Sequence, residues 1–235
     1  VMPGKDRLLL VGHPHHLVRK SHGKQPVFLN EADYTHCLGQ IRELSKEYKL
    51  AIHAYCLLPD GVHIIATPLE DPTDLSTFMK ALSCRTSLRR KNLHGQHSVW
   101  EVRYRSSPVE PGQWLLACMC YVERLPVRHG LASSAYHYHR SSYRMRLGKT
   151  DQYWLDDPEE YARLGDTIRE RAEAYRVYMS NGLDQNEEKM IDTAVNRCKL
   201  TGSIRFVKEV YRQYGVIGIN RGPGRPRKYR KKPVG

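Results

Sequence analysis

Tyrosine and histidine are the side chains here with the most direct chemistry: a phenol can attack an electrophile, and an imidazole can hold an ion or move a proton. The chain has 15 Tyr and 12 His in 235 residues. His13-Pro14-His15-His16 contains an H-x-H spacing, but Pro14 is expected to break the strand that would put two rings on one face. His137-Tyr138-His139 falls in an irregular polar stretch. Both read as solvated or locally bonded groups. His63 stands alone near a strand end, two residues after Gly61. Tyr121 shares a helix face with Trp114, Cys118 and Leu125, and by itself reads as a core tyrosine with a bonded hydroxyl. Cys118 and Cys120 point apart on a helix and cannot share one metal, so the six cysteines read as reduced thiols in a reducing compartment.

The charge points to a partner. Lys and Arg number 38 against 25 Asp and Glu, a net +13. Tyrosine beside excess arginine suits a nucleic-acid surface, because rings stack on bases and guanidinium forks onto phosphates. Arg85, Arg89, Arg90 and Lys91 make a basic helix end, and Arg103 and Arg105 follow on the next strand. Residues 221–235 carry seven basic side chains and no acidic one. Within them Gly224-Arg225-Pro226-Arg227-Lys228 resembles an AT-hook core, whose extended Arg-Pro-Arg fits a narrow A·T minor groove. DNA is therefore the expected partner. No apolar run approaches the ~20 residues of a membrane span, and Leu8–Val11 is too short for a signal peptide, so a cytoplasmic protein without membrane contact is expected.

The elements that must position these residues follow from periodicity. A short strand is expected at His16–Lys20. A helix is capped by Asn30, with Tyr34, Leu38, Ile41, Leu44 and Tyr48 on one face. Leu50–Leu58 and Val62–Thr67, separated by Pro59-Asp60-Gly61, read as a β-hairpin. A second helix starts near Asp74, a strand is expected over Val99–Val109, and a third helix over Gly112–Leu125, stopped by Pro126. Asp157-Pro158 is expected to open a later helix with the proline at its first position, and Ser203 another, ended by Gly215. The order β-α-β-β-α-β-α predicts an α+β fold: a ferredoxin-like four-stranded antiparallel sheet in the split βαβ arrangement, with helices on one face.

Four motifs occur in a particular order. The hairpin carries Leu58-Pro59-Asp60-Gly61-Val62-His63, the next strand Trp100-Glu101-Val102-Arg103-Tyr104, the third helix Tyr121-Val122-Glu123-Arg124-Leu125-Pro126-Val127, and then comes Ser141-Ser142-Tyr143. Over roughly residues 7–147 this resembles the REP-associated tyrosine transposases, a branch of the IS200-type enzymes in the HUH superfamily. The resemblance implies tyrosine-mediated cleavage and strand transfer of single-stranded or hairpin DNA, with Tyr121 as nucleophile and a divalent ion, Mg²⁺ or Mn²⁺, held by two histidines and a helix asparagine. His63 matches the second histidine. Gly61 stands at the first and Leu125 at the asparagine, so the implied metal site is degraded, with Asp60 as a substitute ligand only if the turn bends it toward His63. Two readings follow: a working transposase with an unusual ion site, or a catalytically silent DNA-hairpin binder with no cofactor.

The resulting organisation is a transposase-like domain over 1–147, a helical extension over 148–218 and a disordered basic tail over 219–235, in a monomer or homodimer. Apart from Tyr229 and Val234 the tail after Ile219 has no apolar side chain with which to pack. Its removal is expected to weaken DNA binding several-fold with the melting temperature unchanged. A lower melting temperature in a thermal scan would show the tail to be docked structure.

Overall fold

The computed structural model describes residues 7–215. Among them run β1 (His15–Lys20), α1 (Glu31–Glu47), β2 (Leu50–Leu58), β3 (Gly61–Pro68), α2 (Asp74–His94), β4 (Arg105–Pro108) and α3 (Gln113–Arg128). Five more helices follow: α4 (Tyr143–Arg146), α5 (Glu159–Ala162), α6 (Ile168–Asn181), α7 (Gln185–Asn196) and α8 (Ile204–Tyr214). The strands form one antiparallel sheet in the order β2-β3-β1-β4. β3 lies between β1 and β2, so β1-α1-β2 is a split βαβ unit and the expected α+β, ferredoxin-like topology is present. One unit extends to Gly202 and a second begins at Ser203. Arg225, Arg227 and Lys228 lie outside the described residues.

Local signals account for the first elements. The Asn30 side chain accepts from the Asp33 N–H at 3.0 Å, satisfying an orphan donor of α1. The β2–β3 turn is only Pro59-Asp60, and Leu58 pairs with Gly61 across it. In β2, Ile52, Tyr55 and Leu57 join a core with α1 and α2, while Ala54, Cys56 and Leu58 join a second core with α3. A register shift between Ile52 and Ala54 sends these two residues to opposite faces although they are two apart. Helices therefore cover both faces of the sheet, not one. This explains why β2 is an unbroken apolar run apart from His53: neither face meets water.

Three sequence expectations are corrected. The strand over Val99–Val109 shrinks to Arg105–Pro108. Glu101 pairs with Arg105 at 2.8 Å, and between them Val102 and Arg103 are exposed, Val102 at 96%, while Tyr104 turns into the core. Pro126 does not stop α3, which runs to Arg128. Leu125 and Pro126 are both buried, and that packing offsets the ~3 kcal/mol cost of an interior proline. Pro158 sits at the cap of a four-residue helix rather than inside it, and Asp157 is used as the ion partner of the buried Arg146.

The Ser141–Ser142 segment has a structural task. The Leu57 N–H donates to the Arg140 carbonyl at 2.9 Å and the Ser142 N–H to the Tyr55 carbonyl at 3.0 Å, closing the outer edge of β2. The Ser142 hydroxyl accepts from the Tyr55 N–H at 2.9 Å and donates to Glu123, which also accepts from the Tyr175 hydroxyl at 2.8 Å. Glu123 is fully buried, and that burial pushes its carboxyl up to about 7; the two hydroxyls and Arg146 pull the other way. Its folded pKa thus exceeds the ordinary 4.5. The stability it contributes is complete below about pH 4.5 and is lost as pH rises through about 7, a change on the order of 3 kcal/mol. Glu123→Gln should flatten the melting-temperature profile across that window and gain on the wild type above pH 7. An unchanged slope in the variant would mean that the carboxyl is solvated.

Candidate functional site

β1 and β3 carry the site on the face turned to α3. Pairing sets Lys20 beside Gly61, Val18 beside His63 and His16 beside Ile65. His16 and His63 are thus diagonal neighbours, and His16 Nε2 lies 3.0 Å from His63 Nδ1. Sequence reasoning set His16 aside because of Pro14. The proline in fact precedes β1, and only His13 and His15 form the expected local bonds, His15 Nδ1 lying 2.8 Å from the His13 carbonyl. His137 also bonds locally, with Nδ1 3.0 Å from the Ser134 hydroxyl.

Both site imidazoles are buried and held neutral. Burial lowers His16 to about 3, with Lys20 adding to the shift. Burial likewise takes His63 well below its usual value, reinforced by His16, Lys20, His129 and Arg105. One neutral ring donates to the other, while His16 Nδ1 has no partner among the described residues.

Tyr121, on α3, packs its ring edge-on against His16 with centroids 5.8 Å apart. Its hydroxyl donates to Asp192 on α7 at 2.9 Å. Arg128 lies over the ring, 4.7 Å from its centroid, and pairs with Glu188 of α7 at 3.4 Å. Tyr121 is 2% exposed, and burial with the Asp192 charge raises its pKa, Arg128 opposing. Sequence spacing could not reveal Asp192, which is 71 residues away on α7.

An ion ligand set is not assembled. Among the described residues no three His, Cys, Asp or Glu side chains are placed to share an ion. His63 is engaged by His16, and the charge of Asp60 is felt at His129 and Tyr34. Leu125 is buried in the α3 core. A Cβ on Gly61 would meet the Arg19 carbonyl oxygen at 2.6 Å and Lys20 Cα at 3.2 Å, so β1 itself excludes a side chain there. The residues present do not fit the divalent ion that the resemblance implies.

The expected DNA-binding residues are dispersed. Arg85 bonds Gln40 at 2.7 Å and pairs with Glu43 and Glu47, and Arg89 pairs with Asp33 at 2.8 Å. Arg90 is buried, donating to the Pro26 and Val27 carbonyls at 2.8 and 3.0 Å. Lys91 and Arg103 are exposed, and Arg105 is paired with Glu101.

The split βαβ sheet thus carries a helix-borne tyrosine set against a histidine on a central strand. Residues 11–124 match the family described as Transposase IS200 like. Among solved structures, a REP-associated tyrosine transposase bound to a REP hairpin has a TM-score of 0.55 and 18% identity, covering 66% of this chain and 93% of that one. A protein from Deinococcus radiodurans R1 assigned as a transposase has a TM-score of 0.34 and 19% identity, covering 44% of this chain and 84% of that one. The first likeness establishes the shared fold. The comparison with curated proteins gives no match. Among the described residues no helix is long and apolar enough to cross a membrane.

The approach of β1 to Gly61 can be measured. Gly61→Ala is expected to cost roughly 1–3 kcal/mol in denaturant unfolding, because backbone must shift to admit the methyl. An unchanged midpoint would show that β1 yields freely.

Proposed function

We propose that this protein binds hairpin or single-stranded DNA through its IS200-like domain and acts as a binder rather than a strand-transfer enzyme. The observation that carries the reading is the state of Tyr121: the side chain that would have to attack a phosphodiester is 2% exposed, with its hydroxyl spent on Asp192. Attack would require that bond to break and α7 to clear the phenol. The His63 imidazole is likewise committed to His16. The family match, the net charge of +13 and the neighbour's REP hairpin support DNA as the partner.

A second reading, retained strand cleavage, has one observation in its favour: Tyr121 still sits against the paired histidines. Incubation of the chain with an end-labelled hairpin and Mn²⁺ separates the two. The proposal expects a retarded complex in native gels and no covalent adduct after denaturation. A Tyr121-dependent adduct would establish the enzyme.

The bound state should be electrostatic. The logarithm of the binding constant is expected to fall with the logarithm of salt concentration at a slope of roughly −0.7 to −0.9 per phosphate neutralised. Affinity that stays flat from low to physiological salt would remove the phosphate backbone from the footprint.

A further inference from the structure

Beside β4, a pocket of about 410 Å³ opens between the chain preceding that strand and the end of α7. Tyr121, His16 and His63 are not among the described residues that line it. The guanidiniums of Arg7, Arg103 and Arg105 are, and Glu101 is the one carboxylate beside them. Glu101 is already held by Arg105 at 2.8 Å. Among the described residues, neither Arg7 nor Arg103 has a carboxylate at ion-pair distance. A further guanidinium, that of Arg19, reaches the same segment and donates to the Val102 carbonyl at 3.4 Å. Burial and the Arg7 charge pull the Arg19 pKa below its ordinary value, with Glu101 opposing.

Like charges gathered around one acid repel, yet this group is held in place by neutral contacts. Arg7 Nε donates to the Tyr104 carbonyl at 3.1 Å, and its guanidinium lies over the Tyr104 ring, 4.0 Å from the centroid. The Tyr104 hydroxyl is tied to Ser76 of α2 at 2.7 Å. The Glu101 N–H donates to the Lys20 carbonyl at 2.9 Å, which anchors the segment to the end of β1. Two donors are left over. Arg105 Nη1 and Arg19 Nε are buried and have no partner among the described residues. A buried donor without an acceptor is unfavourable, and an acceptor brought from outside the chain relieves it.

We propose that this pocket binds a small, multiply charged oxyanion of the phosphate class as a free ligand, with Arg7, Arg103 and Arg105 as its counter-charges. The proposal does not depend on DNA binding. Cations fixed in advance around a cavity favour an anion, because little ordering remains to be done on binding. They come from separate stretches of chain and so approach from different directions. A tetrahedral phosphate offers oxygens to several forks at once, whereas a planar carboxylate engages one. A duplex backbone presents single charges in a row, which suits an extended face better than a pocket.

The test titrates the full chain with inorganic triphosphate in a calorimeter. The wild type is expected to give a saturable one-site isotherm, and saturating triphosphate should raise its melting temperature. Arg103→Gln removes an exposed cation and should weaken binding about tenfold, and Arg7→Gln should act in the same direction. Lys80→Gln makes the same charge change on an exposed α2 side chain outside the pocket, and should stay within about twofold of wild type. No saturable heat in the wild type, or equal weakening in all three variants, overturns the site. Citrate binding more tightly than triphosphate overturns the phosphate class. A blunt DNA hairpin forms the remaining arm: if Arg103→Gln weakens hairpin binding while the wild type does not bind triphosphate, these cations serve the DNA backbone and the free ligand is excluded.

Discussion

The buried carboxyl of Glu123 is the point on which the arrangement turns. A carboxylate removed from water must be neutralised or fully bonded, because the desolvation cost of an unpaired buried charge runs to several kcal/mol. Glu123 meets this demand with two hydroxyls, one from Ser142 and one from Tyr175 on α6. Ser142 in turn takes the Tyr55 N–H and so closes the free edge of β2. The edge strand β2 and the helices α3 and α6 are thus bound through one residue. Tyr121 is two positions earlier on α3, so it points away from this network. Fixing Glu123 toward α6 fixes Tyr121 toward β1 and α7.

The same economy governs the surface. A net charge of +13 states that an anionic partner is favoured but not where it binds. The arginines of α2 are largely consumed by the acids of α1, with Arg85 spread over Glu43 and Glu47 and Arg89 on Asp33. The exposed Arg85 pairs contribute little stability, yet all of these pairs lower the local field available to a phosphate. Cations opposed by neutral groups keep their whole charge for a ligand. Arg42, Arg144 and Lys149 are cations of this kind, none with a carboxylate at ion-pair distance among the described residues.

What was legible in the sequence was local or topological. The Asn30 cap, the Pro59-Asp60 turn and the alternation of helices and strands depend on neighbours a few residues apart, and they led directly to the split βαβ sheet. Both-sided burial was readable only in part, since the long apolar run of β2 fits a covered sheet but does not say which helix covers it. His16 was hidden because its partner depends on the register between β1 and β3, which no spacing within His13–His16 encodes. Arg90 looked like one more exposed cation in a basic run. Its burial follows from the Pro26 and Val27 carbonyls, contributed by a loop more than 60 residues earlier. Asp192 was hidden for the same reason, since contact with Tyr121 is made by chain folding and not by sequence proximity.

The missing side chain at position 61 and the pairing of His16 with His63 share one piece of geometry. β1 runs so close to the start of β3 that the Arg19 carbonyl occupies the place of a Gly61 side chain. With no ligand possible there, His63 faces an apolar, cation-bordered interior in which a lone imidazole would leave polar nitrogens unpaired. His16, one step along the diagonal, supplies the missing partner and lets both rings stay neutral. That pair then makes a surface against which the Tyr121 ring packs edge-on, and α7 completes the enclosure with Asp192 on the hydroxyl and Glu188 on Arg128. Restoring one histidine at position 61 would therefore have to move a strand, not merely change a side chain.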